Sequence, residues 1–220
     1  DETDETEETN ADPGQIPSLF VSVGGKGTII TSSNGTKWTR RTSGTKAKLR
    51  AVTYGTDTLV VVGFSATILT SSDGSTWTKR KSRIKAHLGN VTYGNDTFVA
   101  VGNNGNIITS SDGTTWTKRK SRTKASLYGV TYGNSKLVGV GYNGNSLYPA
   151  DNGTTWGSKT SGTTETLYRV TYDNSIFVAD GDNGTILTSS DGTTWTSRTS
   201  GTKEGLRGIT YENSTFVAVG

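Results

Sequence analysis

Residues 88–121 read LGNVTYGNDTFVAVGNNGNIITSSDGTTWTKRKS, and the fold turns on how this stretch is parsed. Val91 and Tyr93, then Val99 and Val101, recur at the two-residue spacing of strands. Asn95-Asp96, Asn104-Gly105 and Asp112-Gly113 fall between the apolar runs, and these dipeptides tolerate the positive φ that tight turns need. The stretch predicts a four-stranded antiparallel meander whose strands centre on VTY, FVAVG, IITS and TWTKR. A basic connection then leads to the next unit.

The unit repeats. Trp38, Trp77, Trp116, Trp156 and Trp195 are spaced 39, 39, 40 and 39 residues apart. A period near 40 belongs to propellers, solenoids and repeat arrays. A single meander cannot bury both of its faces, whereas radial packing against two neighbours does so. The expected fold is therefore all-β: a five-bladed β-propeller over residues 18–220, preceded by an acidic tail over residues 1–17. The strand phrase SLFVSVG (Ser18 to Gly24) recurs to a sixth copy, STFVAVG (Ser214 to Gly220), although only five tryptophans accompany it. A five-bladed ring closed by pairing of its N- and C-terminal strands leaves one such strand over.

SSDGTTW at 110–116 and 189–195, and SSDGSTW at 71–77, resemble the Asp-box of sialidase-type (BNR-like) propeller repeats. In that box Asp and Gly are separated by one residue, whereas here they are adjacent. The whole repeat is similar to the propellers of photosystem assembly factors. The resemblance implies a propeller fold, with the box Asp serving a turn and the Trp packing between blades. Unit four departs from the pattern: it reads SLYPADNG (146–153) in place of IITSSDG, with Pro149, Tyr142, Tyr148 and one inserted residue. Proline removes a ladder donor, so this strand is expected to bulge or to lie at an edge.

Composition narrows the function. There is no cysteine, so neither disulfides nor thiolate metal sites contribute, and His87 is the only histidine. A histidine-based triad or zinc centre is thereby disfavoured, and the expectation is a protein that is not an enzyme and needs no cofactor or metal. Asp180, Asp182 and Asn183 are the one group whose oxygens would suit calcium, against an ordinary polar turn. No run approaches the roughly 20 apolar residues that span a bilayer. The chain begins at Asp1 without methionine, which reads as processing after removal of a secretory signal and an extracellular location.

Charge is divided. Residues 1–12 hold seven acids and no base, leaving 23 lysines and arginines against 12 acids, about +11, in the remainder. The basic residues concentrate in the connections of the first three units (Arg40, Arg41, Lys46; Lys79, Arg80, Lys81; Lys118, Arg119, Lys120), a patch suited to a polyanion or to an acidic segment of a neighbour. Nucleic acid is disfavoured, because no base-reading motif or aromatic platform accompanies the charge.

Two candidate sites follow. The pattern loosens just after the Leu that opens each unit, at Arg50, Tyr128, Tyr168, Arg169 and Arg207, where stacking and ionic groups are expected to surround one mouth of a channel. The terminal strand copies, Leu19, Phe20, Val21 and Val23 with Phe216, Val217 and Val219, are candidates for self-association by strand addition. The leading expectation is a secreted structural subunit that polymerises into a filament or surface layer. A multivalent carbohydrate-binding lectin is the first alternative and an assembly-chaperone-like propeller the second. Sequons at Asn34, Asn90, Asn95, Asn152, Asn183 and Asn213 are candidate glycosylation sites.

Overall fold

The computed structural model describes residues 19–149 and 154–220. The acidic tail and Asn152 lie outside them. The described residues form six antiparallel sheets. The first is β1 (Phe20–Val23), β2 (Ile29–Ser32) and β3 (Thr39–Arg41). The second is β4 (Leu49–Gly55), β5 (Thr58–Gly63), β6 (Ile68–Ser71) and β7 (Thr78–Arg80). The third is β8 (Leu88–Gly94), β9 (Thr97–Gly102), β10 (Ile107–Ser110) and β11 (Thr117–Arg119). The fourth is β12 (Leu127–Gly133), β13 (Lys136–Gly141), β14 (Asn145–Pro149) and β15 (Trp156–Thr160). The fifth is β16 (Leu167–Asp173), β17 (Ile176–Gly181), β18 (Ile186–Ser189) and β19 (Thr196–Arg198). The last is the hairpin β20 (Gly208–Glu212) and β21 (Thr215–Val219).

Local chemistry explains each meander. The first two strands are joined by two-residue turns in which both residues have positive φ, as at Asn95 (50°) and Asp96 (53°) or Asn213 (48°) and Ser214 (61°). This is the turn whose twist matches that of the strands. In SSDG the serine and aspartate build the third turn between them. Asp112 Oδ1 accepts N–H bonds from Thr114 and Thr115, both at 2.8 Å, and the indole N–H of Trp116 donates to the Gly113 carbonyl at 2.8 Å. These N–H bonds hold the carboxyls of Asp73, Asp112 and Asp191 below the usual range.

The opening strands β4, β8, β12 and β16 lie side by side in order, with β20 beyond them. The glycine ending each of the first three permits this approach: a Cβ at Gly94 would fall 2.1 Å from the Tyr132 ring. The sheet interfaces carry the core, for instance Val60 and Val62 of the second sheet with Phe98, Ala100 and Trp116 of the third.

The structure departs from expectation at the ends and in unit four. Four of the six sheets are four-stranded, but the terminal ones have three and two strands. Among the described residues β1 pairs only with β2, and β20 only with β21. The expected closure by pairing of the N- and C-terminal strands is therefore not seen: no strand of the last hairpin is hydrogen-bonded to the first sheet among the described residues. The tryptophans share a motif but not an environment. Trp116 and Trp156 are buried and Trp77 and Trp195 half-buried, whereas Trp38 is 43% exposed, because no described sheet precedes its own. Pro149 pairs with Trp156 of β15, and the β13–β14 ladder ends before it, at Leu147.

Candidate functional site

The loosened positions have a structural cause. Register slips between Leu49 and Ala51, Leu88 and Asn90, Leu127 and Gly129, and Leu167 and Arg169. Each slip is a β-bulge, which drops one residue from the ladder and re-aims its side chain. The dropped residues are Arg50, Gly89, Tyr128 and Tyr168. In the last unit the same position is Arg207, whose N–H donates to the Val219 carbonyl at 2.8 Å.

A second set of residues joins them from the turn after each second strand. The N–H of Phe64 donates to the Lys48 carbonyl at 2.8 Å, and those of Tyr142 and Asp182 to the Ser126 and Thr166 carbonyls at 2.9 Å. Each turn is thereby clamped beside the start of an opening strand. Two clusters result. In one, Phe64 stacks on His87 with ring centres 4.3 Å apart and planes 6° from parallel, under the cations of Lys48 and Arg50 at 5.8 and 5.9 Å. The backbone N–H of Ser65 donates to His87 Nδ1 at 2.9 Å, which makes that nitrogen the acceptor. In the other, Tyr168 lies 5.7 Å from Tyr128 and has the Arg207 guanidinium 4.2 Å above its ring. Asp182 accepts the Tyr168 hydroxyl at 3.1 Å and pairs with Arg207 at 3.9 Å.

Beneath this rim lies an acid that the repeat does not call for. Asp180 stands where the other four-stranded sheets have Val62, Val101 and Val140, and it is fully buried. Its Oδ1 accepts the N–H of Arg169 at 2.9 Å, while Oδ2 has no partner among the described residues. Burial pushes its carboxyl up to about 6, and the Arg169 bond and charge only partly oppose this. Arg169 is itself lowered, first by burial and then by the Arg50 charge.

The candidate residues Arg50, Tyr128, Tyr168 and Arg207 therefore come to one rim, with Arg169 below it. Sequence reasoning missed Phe64, His87 and Lys48 as partners. The available signal was Phe64, an aromatic where two sibling units have Asn103 and Asp182 and only unit four has another aromatic, Tyr142. Asp182 is engaged by Tyr168 and Arg207, and no group of three potential ligands among His, Asp and Glu gathers among the described residues. Part of the predicted basic patch is structural: Arg41, Arg80, Arg119 and Arg198 each donate from Nε to a threonine hydroxyl of the adjacent strand at 2.7–2.9 Å. Of the other sequons, Asn34 caps its turn and Asn90 bonds the Val91 N–H. Asn95, Asn183 and Asn213 occupy positive-φ turn positions.

The self-association candidates divide in two. Val21 and Val23 pack on the core between the first and second sheets, Leu19 lies against Gly74, and Phe216 packs on Tyr211. Phe20, Val217 and Val219 are instead 52, 48 and 61% exposed.

Comparisons with known proteins follow the architecture. No curated protein matches the chain. Among solved structures, YCF48 bound to D1 peptide superposes with a TM-score of 0.69 at 17% identity, over 90% of this chain and 70% of that one. YCF48 from Cyanidioschyzon merolae gives 0.59 at 14%, over 90% and 87%. A catalytically inactive virginiamycin B lyase from Staphylococcus aureus, with quinupristin, gives 0.72 at 15%, over 94% and 78%. Such identities establish a shared fold alone, and the three include an enzyme as well as a peptide-bound protein. Residues 44–167, more than half of the chain, match the DUF6242 beta propeller domain, and the protein belongs to that family.

Proposed function

We propose that this chain is a non-enzymatic binding propeller that holds a carboxylate-rich segment of a partner protein on its cationic and aromatic rim. The observation that carries this reading is the placement of Lys48 and Arg50 over Phe64, with no carboxylate partner for either cation among the described residues. Arg207 on Tyr168 repeats the arrangement across the rim. Guanidinium groups backed by aromatic rings suit extended acidic peptides. That the similarly folded YCF48 was solved with a peptide bound supports the same mode, as does the assembly-factor resemblance.

The test uses a labelled peptide of residues 1–12, DETDETEETNAD, as an acidic probe, and its Asn/Gln counterpart as a neutral one. The acidic peptide should bind by fluorescence anisotropy, weakly at high salt. Arg50→Ala with Arg207→Ala should weaken it about tenfold or more, the loss of at least 1.4 kcal/mol. Equal affinity for both peptides, or an unaffected double variant, refutes the reading.

Self-association into a secreted filament is the second reading, supported by the terminal faces. Val217 and Val219 hold the positions of Val60 and Val62, and Phe20 that of Phe98, all buried elsewhere. The exposed residues are the two halves of one inter-sheet contact, which a head-to-tail neighbour would complete. Light scattering of purified chain should rise with concentration and fall on Val217→Asp with Val219→Asp. A monomer at every concentration would instead indicate that the two faces meet within one chain. Mass loss on glycosidase treatment of native material would place the sequons in use and the protein outside the cell.

A further inference from the structure

Unit four contains a second site that neither the rim nor the terminal faces involve. In the other complete units the third strand carries a threonine (Thr70, Thr109, Thr188) bonded to an arginine, opposite a threonine of the fourth strand. Unit four replaces this set together. Tyr148 stands for the threonine, and Gly157 is its cross-strand partner. The Tyr148 ring lies over Gly157: a Cβ built there would meet the hydroxyl oxygen at 3.4 Å and the ring at 3.5 Å, which is ordinary van der Waals contact. Ser146 replaces an isoleucine and draws the Trp195 indole N–H to its hydroxyl at 3.1 Å, whereas Trp38, Trp77 and Trp116 donate to their own turn glycines.

Of these residues Tyr148, with Pro149 beside it, borders a cavity of about 380 Å³ between the third, fourth and fifth sheets. Its size falls in the range of small-molecule sites. The Tyr148 ring, Pro149 and Leu137 supply an apolar wall. The lining also includes Tyr132, Asn95 and Ser135, whose side chains make no hydrogen bond among the described residues. The equivalent Tyr93 hydroxyl is engaged, 2.7 Å from Thr56 Oγ1. The two charges at the edge are already committed: Lys136 donates to the Asp191 carbonyl at 3.2 Å, and the Asp191 carboxylate accepts from Ser189, Thr193 and Thr194. A cavity with an aromatic wall, three neutral polar groups free of side-chain bonds, and at its edge one lysine and one aspartate of opposite charge suits a ligand that is itself neutral, with an apolar face and several hydroxyls.

We infer that this cavity binds one pyranose unit of a neutral saccharide, its C–H face on Tyr148 and its hydroxyls on Tyr132, Asn95 and Ser135. The site is independent of the rim, so the two proposals fail separately.

The experiment uses the full chain produced in bacteria, so that Asn95 carries no glycan, with glucose, galactose, mannose and N-acetylglucosamine as probes. Saturation-transfer NMR should detect at least one of them. Tyr148→Thr combined with Gly157→Thr restores the sibling pair and should abolish the signal with the melting temperature kept or raised. Tyr132→Phe removes one hydroxyl from an intact wall and should weaken binding about tenfold, equivalent to about 1.4 kcal/mol. Arg50→Ala should leave sugar binding unchanged. Absence of transfer from all four sugars, undiminished transfer in the double variant, or preference for phenol over every sugar overturns the inference.

Discussion

Replacing Asp180 by the valine of its sibling units should stabilise the protein, and only above acidic pH. The carboxyl moves from about 3.8 in the unfolded chain to about 6 in the folded one. The folded state therefore binds the proton more tightly. Stability associated with Asp180 is fully present below about pH 3.8 and is lost as pH rises toward 6. At 1.36 kcal/mol per pH unit, the shift amounts to about 3 kcal/mol against folding at pH 7. Asp180→Val removes that penalty and restores an apolar contact, so urea denaturation at pH 7 should show a gain of about 2–3 kcal/mol. At pH 3.5, where the wild-type side chain is neutral and bonded to the Arg169 N–H, the difference should nearly vanish. Asp180→Asn keeps an acceptor for that bond without the charge and should show the same pH dependence. A stability difference that stays flat between pH 3.5 and 7, or a valine variant less stable at pH 7, refutes the assignment of a charged, desolvated Asp180. If the acid is retained for the rim, the valine variant should also bind the acidic peptide differently, since Arg169 loses its anchor.

Trp116→Ala should cost about 3–5 kcal/mol, because the side chain is buried among Val60, Phe98 and Ile108, whereas Trp38→Ala should cost about 1 kcal/mol or less. Urea midpoints measure both, and equal losses would mean that Trp38 is covered in solution. Asp73, Asp112 and Asp191 have lowered carboxyls, so their contribution is present above about pH 3.8 and disappears as pH falls below it. Changing all three to asparagine should flatten the stability curve below pH 4, since Asn34 already makes the same turn bonds without a charge. A triple variant as acid-sensitive as wild type contradicts this.

Much of the fold was legible because each turn states its geometry in its residues. Asn-Asp and Asn-Ser set the positive-φ hairpins, SSDG caps the outer turn, and valines at every second position mark the strands that are buried on both faces. The sheet boundaries around 88–121 could be read directly from these signals. Pairing at the ends could not, because SLFVSVG and STFVAVG are nearly the same phrase and both match one slot. Nothing in either copy distinguishes a partner across a short turn from one at the far end of the chain. Unequal tryptophan burial was hidden for the same reason: the motif is local, but the covering sheet is not.

The rim was half legible, and the reason bears on where function lies in a repeated chain. Positions that recur from unit to unit are fixed by requirements those units share, such as the glycine under a tyrosine in three of them or the threonine that holds an arginine in all but the fourth. A binding site needs unlike groups around one point, so it has to be sought where a unit breaks the pattern. Arg50, Tyr128 and Arg207 could be found this way because bulge positions carry no packing constraint and vary visibly. Asp180 breaks the pattern at a constrained position, where a valine would satisfy the fold better by about 3 kcal/mol at pH 7. Tyr148 does so in the same unit as two further departures, Ser146 and Gly157. The Tyr148 ring lies over Gly157 at van der Waals distance, and the Ser146 hydroxyl takes up the Trp195 indole N–H. Departures that cluster in one unit, with Tyr148 lining a cavity, are where a role beyond the propeller itself is best sought.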